Sequence, residues 1–81
     1  MNIFVAKLNY NTDSDSLREA FSRYGEVSSA KVIFDRDTGR SKGYGFVEMD
    51  NDQEAYDAIN DLNGSDLEGN NIVVKKARPR Y

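Results

Sequence analysis

The sequence predicts an α+β fold in which a four-stranded antiparallel sheet carries two helices on one face. Three observations predict it. Four short segments are rich in β-branched and aromatic residues, two longer ones carry apolar residues at helical spacing behind capping residues, and Gly, Asn and Asp mark the joins. The resulting order is β-α-β-β-α-β.

Ile3-Phe4-Val5-Ala6 is short and β-prone, and Asn9 to Asn11 breaks it, which gives the first strand. Thr12-Asp13-Ser14-Asp15 then offers a capping hydroxyl with a carboxylate three positions on. Leu17, Ala20, Phe21 and Tyr24 follow at i, i+3, i+4 and i+7, so a helix is expected from about Asp13 to Tyr24, stopped by Gly25. Val27 to Phe34 reads as the second strand, and the charged turn from Asp35 to Ser41 ends it. Gly43 to Met49 is the third strand. Asn51-Asp52-Gln53-Glu54 repeats the capping pattern, with Ala55, Ala58, Ile59 and Leu62 on one stripe and Gly64 closing a helix over about Asp52 to Asn63. Gly69 marks a further turn before a fourth strand, Ile72 to Ala77, which Pro79 prevents from continuing. This order matches the ferredoxin-like sandwich, where two right-handed crossovers place both helices on the same face of the sheet.

Composition narrows the chemistry. The 81 residues fit one domain, 1–81, with a short basic tail at about 78–81. With no Cys and no His, disulfides, the usual zinc sites and Cys or His nucleophiles are excluded, and no cofactor, metal or catalytic residue is expected. No apolar run reaches membrane-spanning length and the first residues lack a secretory pattern, so no membrane partner is expected and cytoplasm is the default compartment. The net charge of −3 weighs against a polyanionic partner, but its distribution does not. Acids cluster on the predicted helices, at Asp13, Asp15 and Glu19 and from Asp50 to Asp61. The last ten residues hold Lys75, Lys76, Arg78 and Arg80 and no acid.

Strand alternation decides what the bare face of the sheet displays. Ile3 and Val5, Ala30 and Val32, Gly45, Val47 and Met49, and Ile72 and Val74 are expected inward. Phe4 and Ala6, Lys31 and Ile33, Tyr44, Phe46 and Glu48, and Val73 and Lys75 are then outward. The first and third strands should be neighbours at the sheet centre, so Phe4, Tyr44 and Phe46 converge in solvent, framed by Lys7, Lys31, Lys42, Lys75, Arg78 and Arg80. Burying one Phe is worth on the order of 1.5 to 3 kcal/mol, so rings left in water point to a binding surface. Flat rings among cations suit an unpaired nucleic acid, whose bases stack while ammonium and guanidinium groups hold phosphates. Arg36 and Arg40, in the loop after the second strand, are further phosphate candidates.

Lys42-Gly43-Tyr44-Gly45-Phe46-Val47-Glu48-Met49 resembles the octamer of the RNA recognition motif family, and Ile3-Phe4-Val5-Ala6-Lys7-Leu8 resembles its hexamer. The likeness runs over nearly the whole chain and is greatest to small stand-alone bacterial members. It implies that Phe4 and Tyr44 stack on two bases, that Phe46 packs against sugars between them, and that Lys42 meets phosphate. Three departures from the family pattern involve four residues. Met49 replaces an aromatic at an inward position, where RNA contact should not suffer. Ala6 and Lys7 stand where Gly and Asn are usual, exchanging a side-chain hydrogen bond for a cation. Glu48 would repel phosphate unless it accepts a hydrogen bond from a base amino group.

The reading is therefore a monomeric, non-enzymatic binder of single-stranded RNA acting in post-transcriptional regulation. Single-stranded DNA is a variant, because stacking does not see the 2′-OH. A protein-interaction module of the same fold, with a partner peptide on the acidic helix surface or over the aromatic face, competes with it, but family members that abandon RNA usually lose the exposed aromatics, which this chain keeps. A small hydrolase is the third class, and the sequence holds neither a glycine-rich phosphate loop of the required pattern nor a nucleophile paired with a base.

Overall fold

The computed structural model describes residues 1–78. Strand β1 spans Asn2–Ala6, helix α1 Ser14–Ser22, strand β2 Ser29–Phe34 and strand β3 Ser41–Glu48. Helix α2 spans Asp52–Leu62, strands β4 and β5 Asp66–Leu67 and Asn70–Asn71, and strand β6 Val73–Ala77. The main sheet is antiparallel in the order β2-β3-β1-β6, so β1 and β3 are central as expected, and β4 and β5 form a separate two-stranded hairpin. This is the ferredoxin-like βαββαβ sandwich.

One face of the sheet is sealed by both helices. Ile3, Val5, Val32, Val47 and Val74 are each at most 2% exposed, as are Met49 and Ile72 just outside the strands. Helix α1 lays Leu17 and Phe21 on them and α2 adds the small Ala55 and Ala58. Each helix starts on a side-chain cap: Asp13 accepts from the Ser16 amide at 2.8 Å and Asn51 from the Glu54 amide at 3.0 Å.

The structure differs from the sequence expectation in several local details. The α1 cap is Asp13, not Thr12, whose side chain is instead turned inward and buried. Helix α1 stops at Ser22, and Gly25 is not a left-handed cap: a Cβ there would collide with the Glu54 side chain of α2, so glycine lets the loop after α1 lie against that side chain. Strand β2 begins at Ser29 rather than Val27, and Ala30 is half-buried at the edge of the core. Strand β3 begins two residues early, at Ser41, because a bulge around Gly43 (φ 80°) absorbs a register shift between β2 and β3. The hairpin β4–β5 stands where only a turn at Gly69 was legible, since two-residue strands carry no periodicity.

Gly45 is required for a different reason. A Cβ there would lie 2.5 Å from the Lys31 carbonyl oxygen and 3.2 Å from Leu17 Cδ2, so β2 and α1 both press onto its empty side.

Candidate nucleic-acid interface

The open side of the sheet is ordered in rows by the strand register. Lys31 pairs with Phe46, Phe46 with Phe4, and Phe4 with Lys75, giving one row of cation, ring, ring and cation across all four strands. The next row sets Tyr44 beside Ala6, which pairs with Val73. On the other side, Glu48 pairs with Asn2 and Ser29. Glu48 therefore stands two residues along β3 from Phe46, at the end of the face away from Tyr44.

Phe4, Tyr44 and Phe46 lie on the expected face, half-buried rather than sealed. Their ring centroids are 5.6 Å (Phe4–Phe46), 5.8 Å (Phe4–Tyr44) and 6.3 Å (Tyr44–Phe46) apart, with Tyr44 and Phe46 at 89° to each other. Edge-to-face contacts of this kind hold rings in place without a covering layer. Lys75 Nζ sits 5.6 Å from the Phe4 centroid, a cation–π distance.

The small Ala6 leaves space beside Tyr44, and a groove of about 380 Å³ opens there, lined by Phe4, Lys7, Lys42, Tyr44, Tyr10 and Asn70 among others. Lys7 adopts φ 60°, an unusual conformation for a non-glycine residue, and so does Glu68 at φ 50°. Each is held by an amide from the other segment: Asn70 Nδ2 donates to the Lys7 carbonyl at 3.1 Å and Asn9 Nδ2 to the Glu68 carbonyl at 2.9 Å. This reciprocal clamp ties hairpin β4–β5 to the loop after β1 and fixes the backbone that carries Lys7. Neither Asn70 nor Tyr10 was assigned a role from the sequence. Asn70 gave no signal because its partner is far along the chain, and Tyr10 because it lies outside any periodic segment.

The loop between β2 and β3 is built rather than loose. Asp35 accepts from the amides of Asp37 (2.8 Å) and Thr38 (3.1 Å), and its own amide donates to the Arg40 carbonyl at 2.7 Å. Those amides, with help from the Lys42 charge, hold the Asp35 carboxyl below the usual carboxylate range. Arg40 lines a second groove with Phe34 and Tyr10, whereas Arg36 sits on the turn and lines neither groove. Arg78 is exposed just past β6, and the expected contact from Arg80 lies outside the described residues.

Acids predominate on the helix side, which also holds Arg18 and Lys76, and cations predominate on the open face, which also holds Glu48. The carboxylates of α1 and α2 sit on the covered side, and among the described residues the only ion pair joins the terminal amino group to Asp52, at 3.9 Å. Lys7, Lys31, Lys42 and Lys75 have no ion-pair partner within 4 Å among the described residues. Among the described residues, no helix is long and apolar enough to cross a membrane.

The geometry is that of a ferredoxin-like module with an open sheet face bearing rings and cations. The chain belongs to the RNA recognition motif family, whose model matches residues 3–73. Among its relatives, glycine-rich RNA-binding protein blt801 of Hordeum vulgare is 49% identical over 77 residues, 95% of this chain and 48% of that protein. Glycine-rich RNA-binding protein 5, mitochondrial, of Arabidopsis thaliana is 51% identical over 78 residues, 96% of this chain and 27% of that protein. The chain thus spans about half the length, or less, of the curated relatives it matches. The crystal structure of RNA Binding Protein PG1 is similar with a TM-score of 0.96 at 44% identity, covering 100% of this chain and 98% of that chain. The Sxl-lethal protein/RNA complex matches with a TM-score of 0.88 at 32% identity over 94% of this chain and 47% of that chain.

Proposed function

We propose that residues 1–81 act as one domain that binds single-stranded RNA on the open face of the sheet, without catalysis and as a monomer. The observation that carries this reading is the cluster of Phe4, Tyr44 and Phe46, with centroids within 6.3 Å, on the side no helix covers. Phe4 and Tyr44 each take a base and Phe46 packs against the sugars between them. Lys31 and Lys75 flank the rings at the level of the backbone, and Lys7, Lys42 and Arg40 follow it past Tyr44. Arg36, Arg78 and Arg80 add charge at the periphery, and Glu48 accepts from a base amino group at the far end. The RNA-binding names of the relatives support the ligand class. Regulation of transcripts after synthesis, in the cytoplasm, is the cellular role this reading assigns.

The test is a fluorescence-polarisation titration with an unstructured RNA. Base stacking is worth roughly 1 to 3 kcal/mol per ring, so Phe4→Ala and Tyr44→Ala should each weaken binding by about tenfold or more. With about two to four phosphates neutralised, log K should fall against log salt with a slope of about −1.5 to −3. Unchanged affinity in both variants rejects the reading. Chemical-shift mapping gives an independent check: RNA should perturb Tyr44 and Phe46, while a protein docked on the acidic helices would perturb Glu54, Asp57 and Asp61. Single-stranded DNA of the same sequence is the variant to titrate beside it, because stacking on the rings does not see the 2′-OH.

A further inference from the structure

Tyr10, in the loop after β1, is 75% exposed, the most of any large apolar side chain among the described residues. Its ring stands beside the bulge of β3, with Cε1 3.6 Å from where a Cβ on Gly43 would lie. Two grooves meet at it. One carries Lys7 and Lys42 and the other Arg40, and no carboxylate lines either. Tyr10 is thus a projecting ring set among cations.

The inverse pattern lies on the helix side. A groove of about 280 Å³ runs between α1, the end of α2 and the hairpin β4–β5. Ala20, Tyr24, Leu62 and Leu67 line it with apolar surface, and all four belong to the buried core or pack against it. Glu19, Asp66 and Glu68 add carboxylates, against the single cation of Arg23. None of these three acids is in an ion pair among the described residues, so the groove surrounds an apolar floor with net negative charge.

Ring and groove are neighbours without meeting in one chain. Asn9, next to Tyr10, donates through Nδ2 to the carbonyl of Glu68 on the groove wall at 2.9 Å, yet Tyr10 does not line that groove itself. A twofold axis beside this clamp would let two copies exchange the contact, and such a contact closes on itself, as in most homodimers. A Tyr ring suits Leu62 and Leu67 by its faces, and its hydroxyl can donate to a carboxylate of the rim. Lys7 and Lys42 would then face Glu19 and Glu68 with opposite charge. Both halves of the contact are on this chain, which makes a second copy the occupant.

We propose that the free chain forms a reciprocal dimer in which Tyr10 of each copy fills the groove between α1 and the β4–β5 hairpin of the other. Tyr10 and Lys42 also line the groove beside Tyr44, so RNA on the sheet and the second copy exclude each other, and the RNA-bound chain is a monomer. This last step alone rests on the reading of the sheet as an RNA-binding face.

Sedimentation equilibrium of the chain from about 10 μM to about 1 mM, at about 50 mM salt, should show the mass rising from one copy to two and no further, the range in which so small an interface dissociates. Raising the salt to about 500 mM should weaken the dimer, because its charge pairs lie on an exposed rim. Tyr10→Ala should weaken it about a hundredfold, since each dimer holds the contact twice, and Tyr10→Phe, which keeps the ring, by less than about tenfold. Glu19→Lys combined with Glu68→Lys should weaken it at least as much as high salt does. All three side chains are exposed, so folding is not at risk, and a thermal melt verifies it. In a mixture of isotope-labelled and unlabelled chain, filtered NOEs should run between copies from the Tyr10 ring to the Leu62 and Leu67 methyls. Excess unstructured RNA should return the mass to one copy with RNA bound. A chain that stays monomeric throughout, a dimer as tight in Tyr10→Ala as in the parent, or NOEs between copies that avoid Leu62 and Leu67 overturns the proposal, and so does RNA that binds without splitting the dimer. Dimerisation through Tyr10 in a chain that binds no RNA overturns the sheet reading and leaves the dimer standing.

Discussion

The two faces of the sheet are made by the same strands, yet alternate residues along them do different work. On the covered face Ile3, Val5, Val47 and Val74 are at most 2% exposed, and all are aliphatic. On the open face Phe4, Tyr44 and Phe46 touch one another without being sealed. Branched aliphatic chains interdigitate and fill volume. Flat rings at 5.6 to 6.3 Å brace each other, Tyr44 and Phe46 edge to face and Phe4 tilted against both, and leave π surface uncovered. Apolar character on both faces thus serves stability on one and, on the proposed reading, recognition on the other, and substitutions should separate the two.

The largest expected effect tests that separation directly. Phe21 is fully buried beneath α1, so Phe21→Ala should cost about 3 to 5 kcal/mol. A domain of this size has roughly 4 to 12 kcal/mol in total, so the variant should be largely unfolded in mild denaturant. Phe4→Ala should move the urea midpoint by less than a quarter as much while weakening RNA binding about tenfold. If Phe4→Ala destabilised the chain as much as Phe21→Ala, the open face would be core and the contrast would fail.

This division was legible in the sequence because period-two alternation fixes orientation once strand order is known. The rings, Lys31, Lys75 and Glu48 all lie where parity put them. Tertiary positioning was not legible. The Asn70 amide that holds Lys7 and the Asn9 amide that holds Glu68 bond across a long sequence separation, and the bulge at Gly43 follows from how β2 and β3 must meet rather than from any local pattern. The same holds for the α1 cap: Thr12 and Asp13 are both good caps, and packing of Thr12 inward left the role to Asp13.

Gly45 gives the second effect. It faces the covered side, where the Lys31 carbonyl and Leu17 leave no room for a Cβ, so Gly45→Ala should cost about 1 to 3 kcal/mol through displaced backbone. A Cβ on Gly43 would meet the Leu8 carbonyl oxygen and Tyr10 Cε1 at 3.6 Å, ordinary van der Waals contact, so chiefly its φ of 80° resists a side chain. Gly43→Ala should cost about 1 kcal/mol, and Gly43→Asn less. Equal melting temperatures for the two Ala variants would mean that close approach at Gly45 does not matter.

On the open face the comparable small effect is electrostatic. Lys75 lies over Phe4 and has no ion-pair partner among the described residues. Lys75→Gln should leave the melting temperature within error and make the salt slope of RNA binding shallower by about 0.7, one phosphate's share for a single strand. An unchanged slope would confine Lys75 to its ring contact.

Thr12 is a polar exception on the inside. It is 1% exposed and its hydroxyl oxygen has no hydrogen-bond partner among the described residues. Thr12→Val keeps the shape and removes an unsatisfied group, so it should stabilise the chain by about 0.5 to 1 kcal/mol. Destabilisation by a similar amount would show that the hydroxyl is hydrogen-bonded in solution.

The smallest effect is carried by the exposed carboxylates that order the loops. Asp13 is held below the usual carboxylate range, chiefly by the Ser16 amide it caps, and Asp35 by the amides of Asp37 and Thr38. A lowered value in the folded chain means that the ionised form favours folding. That contribution is complete above the ordinary carboxylate range near pH 4 and is lost as the pH falls through the lowered values. The melting temperature should therefore be flat from about pH 7 to 5 and decline below about 4. Asp13→Asn and Asp35→Asn keep an accepting oxygen without the charge, so each should flatten part of the acid decline. Only Asp35→Asn should also alter RNA binding at neutral pH, because its loop presents Arg40 to the open side while Asp13 caps a helix on the covered one. Equal effects of the two variants on RNA affinity would break the division between the faces at its weakest point.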